Sequence, residues 1–154
     1  MIKPNHLTIT GLVLGITALF TQKWISLLLF STAFALDLAD GWLARKKKLS
    51  TAFGGVLDSV SDKIIEVLFI YYISNLMNAQ GLGIIVAGLS IMISYVKQRA
   101  GLKNKTIFDR AQRMIYLLIT TIFFKEQAII AYVIFISLCL IAITQLMVKS
   151  YKKN

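Results

Sequence analysis

Apolar residues fill this chain in long runs, broken at intervals by short clusters of Lys, Arg, Gln, Asn and Gly. A helix needs about 20 predominantly apolar residues to cross a bilayer, with roughly 17 to 25 tolerated. Six runs meet or approach that length: residues 7–21, 24–43, 53–75, 82–96, 110–124 and 127–148. The breaks between them are Gln22-Lys23, Arg45-Lys46-Lys47-Lys48, Asn78-Ala79-Gln80-Gly81, the stretch from Gly101 to Lys105, and Lys125-Glu126. The pattern predicts an all-α fold: an integral membrane bundle of six transmembrane helices in one domain over residues 1–154. Gly81, Gly83, Ala87 and Gly88 would let the fourth helix approach a neighbour closely.

Composition agrees with that reading. Of 154 residues 57 % are hydrophobic, and the mean hydropathy is +0.73. The net charge of +10 points to nucleic acid only if it gathers on one solvated face. Here it is dealt out between the spans, so no nucleic-acid partner is expected. All basic residues except Lys23, Lys63 and Lys125 fall on one side once the N-terminus is placed in the cytoplasm. The expected location is therefore the cell membrane, multi-pass, with both termini and any site near the basic loops on the cytoplasmic side. After Lys3 no small-residue cleavage pattern interrupts the first run, which is expected to stay as an anchor. Cys139, the single cysteine, reads as a small core hydrophobe.

Acidic residues change the picture most. Four of the seven, Asp37, Asp40, Asp58 and Asp62, lie where the second and third spans end and begin. Ionisable groups inside spans are costly and mark function. Asp37, Asp40, Gly41 and Ala44 share one stripe of the second helix; Gly54, Asp58, Asp62 and Glu66 follow at i+4 steps along the third. Carboxylates on otherwise apolar faces must protonate, pair with cations or bind metal. Arg45 and Lys63, the only nearby cations, do not balance them, although Lys63 and Glu66 sit at pairing distance, i and i+3. Oxygen-only ligation suits Mg²⁺ or Mn²⁺, and four aspartates suffice for two ions. Two such ions clamp phosphoryl oxygens in displacement chemistry. Gly41, Ala44, Gly54 and Gly55 would clear space for something bulky, and Thr51, at the start of the third helix, offers a hydroxyl and a helix N-terminus to phosphate. A divalent-cation transporter would also use intramembrane acids, but spread through the membrane depth, and it leaves Gly41, Ala44, Arg45 and Gly54 without a role.

The run Asp37-x-x-Asp40-Gly41-x-x-Ala44-Arg45, eight residues, Gly54-x-x-x-Asp58-x-x-x-Asp62 resembles the signature of the CDP-alcohol phosphotransferase family at every fixed position. An opening Pro4-Asn5-x-x-Thr8 extends the resemblance. It implies transfer of the phosphatidyl or a similar group from a CDP-linked lipid to an alcohol, with release of CMP. It further implies that Asp37, Asp40, Asp58 and Asp62 hold two Mg²⁺ or Mn²⁺ ions and that Asp62 doubles as general base beside Asp58. Gly41, Ala44, Arg45, Thr51 and Gly54 would cradle the cytidine diphosphate, while Asn5 and Thr8 either reach the nucleotide or cap the first helix. Relatives of this type imply a homodimer.

The acceptor is read from Ser94-Tyr95-Val96-Lys97-Gln98-Arg99-Ala100 followed by Asp109-Arg110-Ala111-Gln112-Arg113. Arg110 and Arg113 share a helix side, and forked guanidiniums suit a phosphate monoester. The run resembles the branch of phosphatidylinositol phosphate and archaetidylinositol phosphate synthases, which implies an anionic polar alcohol such as inositol phosphate, bound by Lys97, Arg99, Arg110 and Arg113. Glycerol 3-phosphate is the alternative acceptor for the same cations, and topogenic charge alone is the alternative role for the run.

Overall fold

The computed structural model describes residues 4–47, 51–101 and 106–151, with the side chains of Pro4, of residues 40–47 and of Lys125 outside the description. Among the described residues there are six α-helices and no strand: α1 Pro4–Ala18, α2 Lys23–Lys47, α3 Ala52–Leu76, α4 Gln80–Arg99, α5 Arg110–Phe123 and α6 Ala128–Tyr151, with one 3₁₀ turn at Lys125–Gln127. The predicted segments and the helices coincide to within a few residues. The first helix starts earlier than predicted because Pro4 opens it, at a position whose missing N–H costs nothing.

Helices α4 and α6 are each long and apolar enough to cross a membrane. On α6 the outward residues are as apolar as the buried ones: Ile129, Ile130, Val133 and Ile134 are exposed, whereas Tyr132, Phe135 and Cys139 are buried. A helix apolar all round has no polar face to offer water. Cys139 is packed in the core, as its sequence setting predicts.

The chain divides into two compact units, Met1–Phe69 and Ile70–Asn154. In the first, α1 lies against α2 and α3 through glycine. A Cβ at Gly11 would stand 3.4 Å from the Ala33 carbonyl oxygen, and one at Gly15 would stand 3.3 Å from the Ile65 side chain. Phe69 closes this core edge-to-face on Phe30 and Phe34, at centroid distances of 5.2 and 5.3 Å.

In the second unit Phe108, Tyr116 and Phe135 form an edge-to-face cluster with centroids 5.0 to 6.1 Å apart. The Tyr116 hydroxyl donates to the Ala131 carbonyl at 2.8 Å, which ties α5 to α6. Of the glycines on α4, Gly83 alone sits at a close approach. Gly81 and Gly88 face open space, whereas a Cβ at Gly83 would land on the Ser74 side chain. Ser74 cannot swing away, because its buried hydroxyl bonds the Ile70 carbonyl at 2.6 Å and the Tyr132 hydroxyl at 2.7 Å. Gly83→Ala should therefore cost about 2 kcal/mol through overpacking. A thermal melt of the detergent-solubilised variant should show a midpoint several degrees lower. An unchanged midpoint would mean the contact relaxes freely.

Candidate active site

Thr51 caps the start of α3. Its hydroxyl accepts from the Gly54 N–H at 2.9 Å, three residues on, as an N-cap does. Gly54 is needed there for want of room: a Cβ would come within 2.9 Å of Thr51 Oγ1 and 3.1 Å of Asn5 Oδ1. Asn5, in the first turn of α1, is thus brought against Thr51 and Gly54, and Thr8 is buried one turn further along. The side chains of Asp40, Gly41, Ala44 and Arg45 lie outside the described residues.

One turn into α3 the acids begin. Asp58 and Asp62, at i and i+4, share a helix face, and Asp37 comes from α2. One carboxylate oxygen from each lies within 4.8 Å of the other two, and all three residues are half-buried. Three carboxylates at that spacing repel each other strongly when ionised. Oxygen donors of this kind fit a hard divalent cation, whose charge would remove the repulsion. Further along α3, Lys63 Nζ is 2.8 Å from Glu66 Oε2, and Glu66 is fully buried. The pair foreseen at i and i+3 is present.

The second unit holds a cavity of about 250 Å³ lined by Lys97, Asp109, Arg110 and Arg113 together with Ser94. Lys97 reaches it from the last turn of α4, Arg110 and Arg113 from the first turns of α5. Arg113 is almost fully buried, with its Nη1 donating to the Phe108 carbonyl at 3.0 Å. Arg99 is exposed and stands outside the lining. Asp109 and Gln112 form a capping box at the start of α5, in which the Asp109 N–H donates to Gln112 Oε1 at 2.8 Å. The Asp109 carboxylate accepts from Lys97 Nζ at 2.9 Å and from the Thr106 hydroxyl at 2.6 Å. Burial pushes the Asp109 carboxyl up, but the bonds from Lys97 and Thr106 outweigh it and hold the group below its ordinary value of 3.8. A depressed carboxyl contributes stability above its unfolded pKa and loses it only as pH falls through the folded one. The Asp109 carboxylate is therefore ionised throughout the neutral range. Sequence reasoning assigned Asp109 no role, although Asp109-x-x-Gln112 ahead of an apolar run is a readable capping signal.

The fold and the two clusters describe a helical protein with two helices able to cross a membrane, a carboxylate cluster able to hold a divalent cation, and a cavity lined by three cations. The family profile described as CDP-alcohol phosphatidyltransferase matches residues 1–148, and the chain belongs to that family. An archaetidylinositol phosphate synthase of Methanothermobacter thermautotrophicus is 32 % identical over 127 residues, 74 % of this chain and 63 % of the relative. Another, of Pyrococcus horikoshii, is 32 % identical over 134 residues, 79 % of this chain and 70 % of the relative. A CDP-diacylglycerol–glycerol-3-phosphate 3-phosphatidyltransferase of Cereibacter sphaeroides is 34 % identical over 79 residues, 46 % of this chain and 36 % of the relative. The matches thus leave about a third of the archaeal relatives, and more of the bacterial one, without a counterpart. Members of the family use divalent metals, and the Asp37, Asp58 and Asp62 cluster supplies a fitting donor set.

Proposed function

We propose that the protein is a membrane transferase that moves the phosphatidyl or archaetidyl group of a CDP-linked lipid to the hydroxyl of an anionic polar alcohol, inositol phosphate first, and releases CMP. The observation that carries this is the convergence of Asp37, Asp58 and Asp62 within 4.8 Å. Two Mg²⁺ or Mn²⁺ ions, held by these residues with Asp40, would neutralise the diphosphate and the departing CMP. Asp62 takes the proton of the acceptor hydroxyl, whose oxygen attacks the phosphorus that carries the lipid; the bond from that phosphorus to the CMP oxygen breaks. Thr51, Gly54 and Asn5, with Thr8, Gly41, Ala44 and Arg45, hold the nucleotide. The close approach at Gly54 supports this, since a side chain there would fill the cradle.

Lys97, Arg110 and Arg113 hold the acceptor phosphate, with Arg99 assisting from the surface. The archaeal relatives support inositol phosphate by their names. The name of the Cereibacter sphaeroides relative, together with the same cationic pocket, supports glycerol 3-phosphate as the second reading. All six helices would lie in the cell membrane as one domain over residues 1–154, with the termini and the site on the cytoplasmic side and the chain paired as a homodimer. Much of the charge behind that orientation, at Lys3, Lys48, Lys103, Lys105, Lys152 and Lys153, lies outside the described residues.

The test is CMP release from one CDP-lipid with inositol phosphate, glycerol 3-phosphate, serine and free inositol offered in turn, with and without Mg²⁺ or Mn²⁺. Metal-dependent release with inositol phosphate well ahead of the rest is expected; metal flux into proteoliposomes without turnover would replace the reading. A pH series gives a further expectation. A phosphate monoester loses its second charge with a pKa of about 6, so acceptor KM should rise about fourfold between pH 8 and about pH 5.5. Asp109, held low, stays ionised over that range and adds no step of its own.

A further inference from the structure

The acceptor pocket contains a negative charge of its own, which a site built only to attract phosphate would not need. Of its charged lining residues three are cations, Lys97, Arg110 and Arg113, and one is the carboxylate of Asp109. That carboxylate is well held. Lys97 Nζ and the Thr106 hydroxyl both donate to Oδ1, at 2.9 and 2.6 Å, and the Thr106 N–H reaches Oδ2 at 3.3 Å. It also stands at the N-terminus of α5, where the helix favours an anion.

We propose that Asp109 sets the phosphate affinity of the pocket, as a built-in counter-ion that occupies Lys97 and holds the pocket at two net positive charges against a phosphate monoester dianion. The inference rests on the reading that this pocket takes the acceptor phosphate. Capping alone does not demand a carboxylate, because Asn and Ser cap a helix as well as Asp does. What Asp alone adds is charge, placed on the one cation of the pocket that has a long flexible stem. Two opposed effects follow from that placement. The ion pair orders Lys97, which helps an incoming phosphate. The carboxylate also repels that phosphate within the same small cavity and competes for the ammonium. Like charges at a few ångströms in a half-buried site outweigh the ordering of a single side chain, so the net effect of Asp109 is to weaken phosphate binding. Such weakening is useful to an enzyme. Binding that is equally tight before and during reaction holds the substrate without speeding its conversion. With three net positive charges the pocket would also retain inorganic phosphate.

The experiment uses the full chain in lipid nanodiscs and inorganic phosphate as an inhibitor, measured against the acceptor at saturating CDP-lipid. For Asp109→Asn the inhibition constant for phosphate should fall roughly fivefold. Asp109→Glu, which keeps the charge, should stay within about twofold of the parent. Asp109→Ser caps the helix too and should behave like Asp109→Asn, so poor accumulation of one variant leaves the other to decide. A merely structural role would weaken phosphate binding in the neutral variants or leave it alone; either result overturns the inference. If phosphate competes with the acceptor in the parent protein yet the variants show no gain, the acceptor reading stands and only the counter-ion role falls. If phosphate does not compete with the acceptor at all, the acceptor reading falls and this one with it.

Discussion

Asp62→Asn should lower CMP release by about a thousandfold or more, the scale expected for loss of a general base. Asn keeps the volume and removes both the proton-accepting oxygen and one charge from the cluster. Asp58→Asn should act differently, because on the proposed reading Asp58 would bind metal without serving as base; part of its lost activity should return as Mg²⁺ is raised. Stability should move the other way. Carboxylate oxygens within 4.8 Å of one another repel, when ionised, by on the order of 3 kcal/mol per pair at an effective dielectric of about 20. In metal-free buffer either Asn variant should therefore melt above the parent. Adding Mg²⁺ should raise the parent's midpoint and leave the double variant's unmoved. Loss of activity with gain of metal-free stability separates a binding cluster from a structural one. Activity of the double variant above a tenth of the parent's would sink the assignment.

How much of this was legible along the chain depends on the range of the interaction. The helices were, because apolar runs and polar breaks are local: α2 through α5 begin and end within a few residues of the predicted runs. Asp58 and Asp62 were legible as a pair, since i and i+4 share a helix face whatever surrounds them. That Asp37 faces them was not, because a stripe gives no rotation of one helix against another. Lys97 illustrates the same limit. Its partner Asp109 is twelve residues away in sequence, a separation that no periodicity describes. Gly83 was legible as small but not as indispensable, since its neighbour Ser74 is fixed by Tyr132, 58 residues from Ser74 in sequence. Arg99 and Lys97 look equivalent in the basic run. Only the helix turn separates them, one into the cavity and one out to the surface.

Arg113→Lys should raise acceptor KM roughly 30-fold with little change in the KM for the CDP-lipid. The charge is the same in both residues, so the effect must come from shape. Arg113 is 1 % exposed, and one of its terminal nitrogens is already committed to the Phe108 carbonyl at 3.0 Å. A guanidinium can make that bond and still present a second N–H edge to the cavity, because its donors are fixed in a fork. An ammonium has a single nitrogen. If it bonds Phe108 it sits short of the phosphate, and if it reaches the phosphate it leaves a buried carbonyl without its donor. A charge-assisted hydrogen bond is worth about 1.5 to 3 kcal/mol, and about 2 kcal/mol corresponds to the 30-fold change. The division between KM and kcat is the informative measurement. A phosphate anchor far from the reacting hydroxyl acts mainly on binding, so KM should carry the loss. If kcat collapses while acceptor KM holds, Arg113 serves to brace α5 through Phe108, and the acceptor phosphate is held elsewhere.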